Sequence, residues 1–526
     1  MNATAEKTLP TLSTREPAES QSLAFFVLAV FGFSFWFLMA VPFACHRETY
    51  DWLAMVYSQG FSGAFSFSAT TFRPLSQAAT WLAFQFLNPA VFPTSVLRQA
   101  LFQFFIYGTF VVGWWFIFLR VRERRLFALI SFLAGGAFFS GYVHLFHIYG
   151  LFYIPVMLTV GGLIYFSRPI KVDRREAGFG ILAILLVFWH PYASALFLGF
   201  YFGHYIETFQ RRNKLQHIQA LAILALTAAA IGAMVISSSR TQTMPLDTRA
   251  LGFLVSYQTN EVNRIASLVA YVLAQVVVLS MDASRGLKIA GVFVVTAASV
   301  VFFLKGLPLL FVWLCAVLIK LIHLRSWSLF FLSLVAILLP FGGGIGTPIY
   351  ALFAIILAVY VSPLGWAQAE KRLSIFKTQY ALAVIAVLGI VLLLVRANVQ
   401  VPIVTRAATP LLTERERTYQ LENLLAWLHT SEYCGYEIAF VADAGSPVDS
   451  VESAITRRNR PPAALKDVRH YWNTVLQCQK GGSPINSPET VVLTFGGPEL
   501  AAWNPVFTVK GRYAGDATVW VRSPQK

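Results

Sequence analysis

The chain has 526 residues, of which 57% are hydrophobic, 15% aromatic and 13% charged, with a mean hydropathy of +0.62. Soluble domains carry about 25% charged residues, so a water-soluble fold is excluded, and apolar runs without period-2 alternation exclude a membrane barrel. The formal charge of +16 comes from basic residues set mostly in short loops between apolar runs, which is membrane topology and not a nucleic-acid surface.

Taken in order, Met1–Gln21 is polar and reads as a disordered cytoplasmic tail, not a signal peptide. The first apolar segment runs from about Ser22 to Cys45. A polar loop follows, His46-Arg-Glu-Thr-Tyr-Asp-Trp52, and then a Gly/Ser/Phe stretch leads to a turn at Arg73-Pro-Leu75. Thr80–Phe86 is amphipathic and suits the membrane interface. The second segment, about Val96–Leu119, ends in Arg120-Val-Arg-Glu-Arg-Arg125, a cluster that belongs in the cytoplasm. The Glu48–Arg73 loop is then outside.

Segments follow at about Leu126–Phe146 and Gly150–Phe166. Gly178–Ile206 is too long for one simple span and has basic residues on both flanks. It predicts two short helices hinged at His190-Pro191, because proline removes a backbone donor and interrupts a helix. Ile218–Ser237 leads to a second outer loop, Ser238–Arg264. Further segments are expected at about Ile265–Met281, Ile289–Leu304, Leu307–Ile322, Leu329–Leu339, Tyr350–Val361 and Tyr380–Val395. The total is about thirteen crossings at roughly 20 residues each, which leaves the C-terminus outside.

Three regions are expected: the tail 1–21, a transmembrane region 22–396, and a soluble extracytoplasmic α/β domain 397–526. In the last, Leu421, Leu424, Leu425 and Leu428 mark an amphipathic helix. Strands are expected at Glu437–Ala442, Thr490–Phe495, Phe507–Lys510 and Thr518–Arg522, the last two as a hairpin. Of the four cysteines, Cys315 lies in an apolar run. Cys434 and Cys478 can pair if their compartment is oxidising. The fold class is a polytopic α-helical membrane protein with a small C-terminal α/β domain.

Chemistry is expected where the first segment leaves the membrane. Glu48 and Asp51 are three apart, so they share a face if helical. Apolar walls at a membrane boundary raise a carboxylate toward useful general-base strength. Tyr50 and Trp52 flank Asp51 and are pocket candidates. Arg73 offers a planar fork of donors suited to phosphate oxygens, and the second outer loop adds Arg240, Arg249 and Arg264 on the same side. His144, His147 and His190 also sit toward the outer face. His144 and His147 are spaced i, i+3, but no third metal ligand accompanies them, so no metal or other cofactor is expected.

The cytoplasmic tail, the acidic first outer loop (Glu48, Asp51), the Arg73-Pro74-Leu75 element before a helix, the many spans and the terminal outer domain resemble the GT-C superfamily of membrane glycosyltransferases. The resemblance in motif covers Glu48–Ser76. It implies a polyprenyl-phosphate-linked sugar as donor, a glycan, lipid or protein as acceptor, and a plasma (bacterial inner) membrane location with the site outside. The family's first-loop acid falls on Asp51, with Glu48 as second candidate, since the usual adjacent acidic pair is absent. Arg73, with Arg240, Arg249 or Arg264, would hold the lipid phosphate. A lone carboxylate base implies inversion at the anomeric carbon. Rival readings are a lipid-sugar flippase, an oligosaccharide polymerase or ligase, and a non-catalytic scaffold.

Overall fold

The computed structural model describes residues 19–40, 74–87, 96–121, 124–138, 154–166, 175–239, 261–281, 283–305, 309–338, 377–397, scattered positions between 409 and 441, 490–496, 500 and 503–522. Within them lie α1 (Glu19–Ala40), α2 (Pro74–Leu87), α3 (Val96–Arg120), α4 (Arg124–Phe138), α5 (Ile154–Phe166), α6 (Arg175–Trp189), α7 (Pro191–Thr208), α8 (Lys214–Ser239), α9 (Glu261–Leu279), α10 (Arg285–Leu304), α11 (Leu310–His323), α12 (Trp327–Leu338) and α13 (Thr378–Arg396). The strands are β1 (Glu437–Val441), β2 (Thr490–Phe495), β3 (Trp503–Val509) and β4 (Ala517–Arg522). The segment expected at Tyr350–Val361 lies outside the described residues.

Four of these helices, α1, α3, α8 and α10, are long and apolar enough to cross a membrane. Only 11% of the apolar window of α8, and likewise of α10, is buried. Phe293, Val294 and Leu304 of α10 are 67–75% exposed. In water such a surface would be strongly unfavourable, whereas hydrocarbon solvates it. The observation is consistent with a membrane protein.

Helix α1 is the spine of the first group. It runs parallel to α4: Arg124 Nη1 donates to Ser22 Oγ at 2.6 Å, Ser131 Oγ to the Ala29 carbonyl at 2.5 Å, and Trp36 Nε1 to the Gly136 carbonyl at 2.9 Å. The chain positions rise together, so both helices point the same way. Gly32 and Gly135 let the two backbones touch; a Cβ on Gly135 would meet the Phe33 amide nitrogen at 3.0 Å. Close backbone approach through small residues is how helices pack where no hydrophobic force separates helix from solvent. Helix α3 runs antiparallel to α1, with Phe26 edge-on to Trp115 (4.7 Å) and Phe37 stacked on Tyr107 (4.3 Å, 7°).

The second group is built on α7 and α12. Gly199-Phe-Tyr-Phe-Gly203 is a G-x-x-x-G pair, and both glycines face α12, where a Cβ on Gly199 would meet the Phe331 carbonyl at 2.8 Å. The helices are antiparallel, since Gly199 faces Phe331 and Val335 while Gly203 faces Trp327. Helix α10 lies antiparallel on α9, joined by Gln275 Nε2 donating to Thr296 Oγ1 at 2.9 Å and by Tyr271 Oη at 3.3 Å from the same hydroxyl.

The C-terminal sheet has the order β1-β2-β4-β3, with β1 parallel to β2 and the other pairs antiparallel. Each expected strand overlaps an observed one, β3 beginning at Trp503 and ending at Val509 where Phe507–Lys510 was expected, and the expected hairpin is β3–β4. The described residues between 409 and 430 are helical. Leu424 and Leu428 of that stretch are buried, as the leucine spacing requires. Glu416 ties it to the β3–β4 turn by accepting from the amides of Arg512, Tyr513 and Ala514 at 2.5–2.7 Å. Cys434 is disulfide-bonded, with its partner outside the described residues, and Cys315 is a free thiol.

Two expectations are corrected. The turn expected at Arg73-Pro-Leu is helical from its second residue: Pro74 is the first residue of α2, a position where the missing N–H costs nothing and the fixed φ is already helical. Arg264, expected in an outer loop, is in the first turn of α9, which begins at Glu261. Polar residues there were taken for loop, but first turns of helices carry polar groups readily because their N–H groups have no intrahelical partner.

Candidate functional site

The described geometry centres on the break between α6 and α7. Pro191 disfavours helical backbone at the residue before it, and His190 is accordingly extended, at φ −157° and ψ 126°. The turn has no loop. His190 N–H still closes α6 by donating to the Leu186 carbonyl at 2.9 Å, and its own carbonyl receives the Ser194 amide at 3.2 Å, opening α7. The two helices fold back antiparallel: Phe179 meets Phe197 and Tyr201 across the hairpin, at centroid distances of 6.1 and 5.3 Å.

The His190 side chain caps α7. Its Nδ1 accepts the Tyr192 amide at 3.1 Å, so that nitrogen carries no proton and the neutral ring carries it on Nε2. The imidazole is 1% exposed and lies edge-on to Tyr192 at 4.8 Å. The structure therefore gives this residue a definite local task, that of an N-cap.

Helix α2 docks on this hinge. Ser76, fully buried, donates its hydroxyl to the Trp189 carbonyl, one of the acceptors that the end of α6 leaves without an intrahelical partner. That bond fixes the Pro74–Leu75–Ser76 end of the Arg-Pro-Leu element beside the hairpin tip.

The hairpin's other end holds buried charge. Glu176, in the first turn of α6, and Arg212, in the link to α8, have side chains 5% and 0% exposed. Arg212 Nη1 lies 2.7 Å from Glu176 Oε1, a charge contact off the hydrogen-bonding direction, and Nη2 is buried without a hydrogen-bond partner among the described residues. Tyr201 Oη donates to Glu176 Oε2, and Arg212 Nε donates to Thr208 Oγ1 at 2.8 Å. The guanidinium lies over the Tyr205 ring at 5.4 Å.

Of the expected site residues, His190 is described in full, at the hairpin tip, and Ser76, three residues after Arg73, bonds the carbonyl of the residue before it. Arg264 is placed on α9, its side chain outside what is described. Glu48, Tyr50, Asp51, Trp52, Arg73, His144, His147, Arg240 and Arg249 lie outside the described residues. Among the described residues no cluster of three His, Cys, Asp or Glu side chains has metal-ligand geometry. The Glu176–Tyr201–Arg212 cluster was missed from sequence. Its signal was a single acid opening an apolar helix with an arginine just past the next one.

No protein-family model, no curated protein and no solved structure matches the chain.

Proposed function

We propose that the protein is an integral-membrane glycosyltransferase of GT-C type, with about eleven to thirteen crossings. It moves a sugar from a polyprenyl-phosphate donor to an acceptor hydroxyl on the extracytoplasmic side. The observation that carries this reading is the Ser76–Trp189 bond. It anchors the Arg-Pro-Leu element to the hinge of a broken helix pair, at the end away from the buried Arg212. An irregular backbone of that kind at membrane depth suits a site lined by protein. The disulfide at Cys434 further supports an oxidising compartment for the C-terminal domain.

In this mechanism Asp51, or Glu48, takes the proton of the acceptor hydroxyl as it attacks the anomeric carbon. The prenyl phosphate leaves as an anion and needs positive charge rather than a proton. Arg73, with Arg240, Arg249 or Arg264, supplies that charge. Inversion follows from a single displacement.

The test is incubation of the purified protein with a panel of prenyl-phosphate sugars and acceptors, following donor loss. Asp51→Asn and Glu48→Gln are measured separately. A general base contributes about 10²–10⁴-fold, so one of the two should fall by that factor. Full turnover in both variants rules out a first-loop base and favours a ligase. Movement of intact donor across vesicles without cleavage points to a flippase.

A further inference from the structure

The two arms of the α6–α7 hairpin are held very differently. Helix α7 is fixed to α12 along its length, through Gly199, Gly203 and the capping carboxylate of Glu207. Helix α6 has no such seam among the described residues. Its outer face, Ile181, Ile184 and Leu185, is 49–62% exposed. It is held by Phe179 against the α7 rings, by Gly180 near Ile223 of α8, and by Glu176. At the tip the arms are one residue apart and cannot separate. Freedom to splay therefore lies at the open end, where Glu176, Tyr201 and Arg212 meet.

Stability alone does not account for charge there. Desolvating a buried pair costs about as much as its attraction returns, and apolar replacements are often as stable. An ion pair supplies one register and a contact that can be broken as a unit. The Arg212 Nη2 group has no hydrogen-bond partner among the described residues, which leaves this pair short of complete satisfaction there. Helix α2 packs on α6, so the position of the α6 arm is passed to the Pro74–Ser76 element at the tip.

We propose that Glu176 and Arg212, with Tyr201, form a latch that closes the α6 arm onto α7 and thereby sets where α2 sits at the far end of the hairpin. The latch needs no sugar-transfer chemistry and goes beyond it: it is a conformational device linking the two ends of the helical bundle.

The test places nitroxide pairs in the full-length protein carrying Cys315→Ser in lipid nanodiscs, one pair at the open end (Ala177→Cys with Ile206→Cys) and one near the tip (Leu185→Cys with Ala195→Cys). Dipolar broadening is read by electron paramagnetic resonance. Glu176→Gln and Arg212→Gln should each lose the open-end broadening and keep that at the tip. The exchanged pair, Glu176→Arg with Arg212→Glu, should recover it. Unchanged broadening in both single variants overturns the latch. If the single variants do not fold, the exchanged pair decides. Folding with the open-end broadening supports the proposal, and failure to fold overturns it, since the two charges would then not act as a pair.

Discussion

Glu207, at the end of α7, accepts hydrogen bonds from both the backbone N–H (2.8 Å) and the hydroxyl (2.9 Å) of Ser328, the second residue of α12. It is an N-cap supplied from a neighbouring helix. It sits two turns from Gly199 and one from Gly203, so a single face of α7 carries both the close approach and the cap.

That face should be intolerant of size. Gly203→Leu places carbon where the α12 backbone already lies and should cost at least the ~1–3 kcal/mol of ordinary overpacking. Glu207→Ala should cost about 0.5–2 kcal/mol, the usual loss for a cap, while Glu207→Gln keeps an acceptor and should cost less. Thermal unfolding in detergent orders the three.

Ser76→Ala removes the tie between α2 and the Trp189 carbonyl. The expected loss is about 1 kcal/mol of net hydrogen-bond stabilisation. Hydrogen exchange should accelerate in α2 and leave α12 unchanged. Equal acceleration in both would mean that Ser76 supports the whole bundle rather than the docking of one helix.

The C-terminal sheet should weaken in acid. The Lys510 ammonium, 2.6 Å from Asp516, and the Gly511 amide hold the Asp516 carboxyl below its ordinary 3.8. Burial pushes the His429 imidazole below its ordinary 6.5. Both groups favour the deprotonated form on folding. Their contribution is therefore present above the ordinary values and lost as pH falls through the folded ones. Asp516 is exposed, so its share is small. Exchange of β4 amides, corrected for intrinsic rate, should rise from pH 7 toward pH 3. His429→Gln should remove the upper part of that dependence and Asp516→Asn the lower.

Peptide mapping of unreduced protein should find Cys434 linked to Cys478, with Cys315 alkylated without reduction. Losing such a bond costs about 2–5 kcal/mol in small secreted domains, so Cys434→Ser should lower the unfolding temperature of the sheet. Linkage to Cys45 would instead join the sheet domain to the end of the first apolar segment.

Much of the helical layout was legible because apolar runs and proline act locally. Val96–Arg120 was expected within a residue of its end, and the hinge at His190-Pro191 follows from steric rules between adjacent residues. Strand β2 was located exactly from its β-branched run. The start of α2 and of α9 was misplaced because a polar or arginine-bearing first turn looks like loop until its helix is seen.

The amino-acid order by itself determined that the chain is a set of apolar helices followed by a small mixed sheet. Local preferences and hydrophobic run lengths need no partner to express themselves. Only the tertiary structure decided that Gly199 and Gly203 meet a backbone rather than a side chain, and that Ser76 bonds to Trp189, 113 residues away. It also decided that Glu176 is buried against Arg212. Those are contacts between distant segments, and their free energy depends on desolvation and geometry that no stretch of sequence contains.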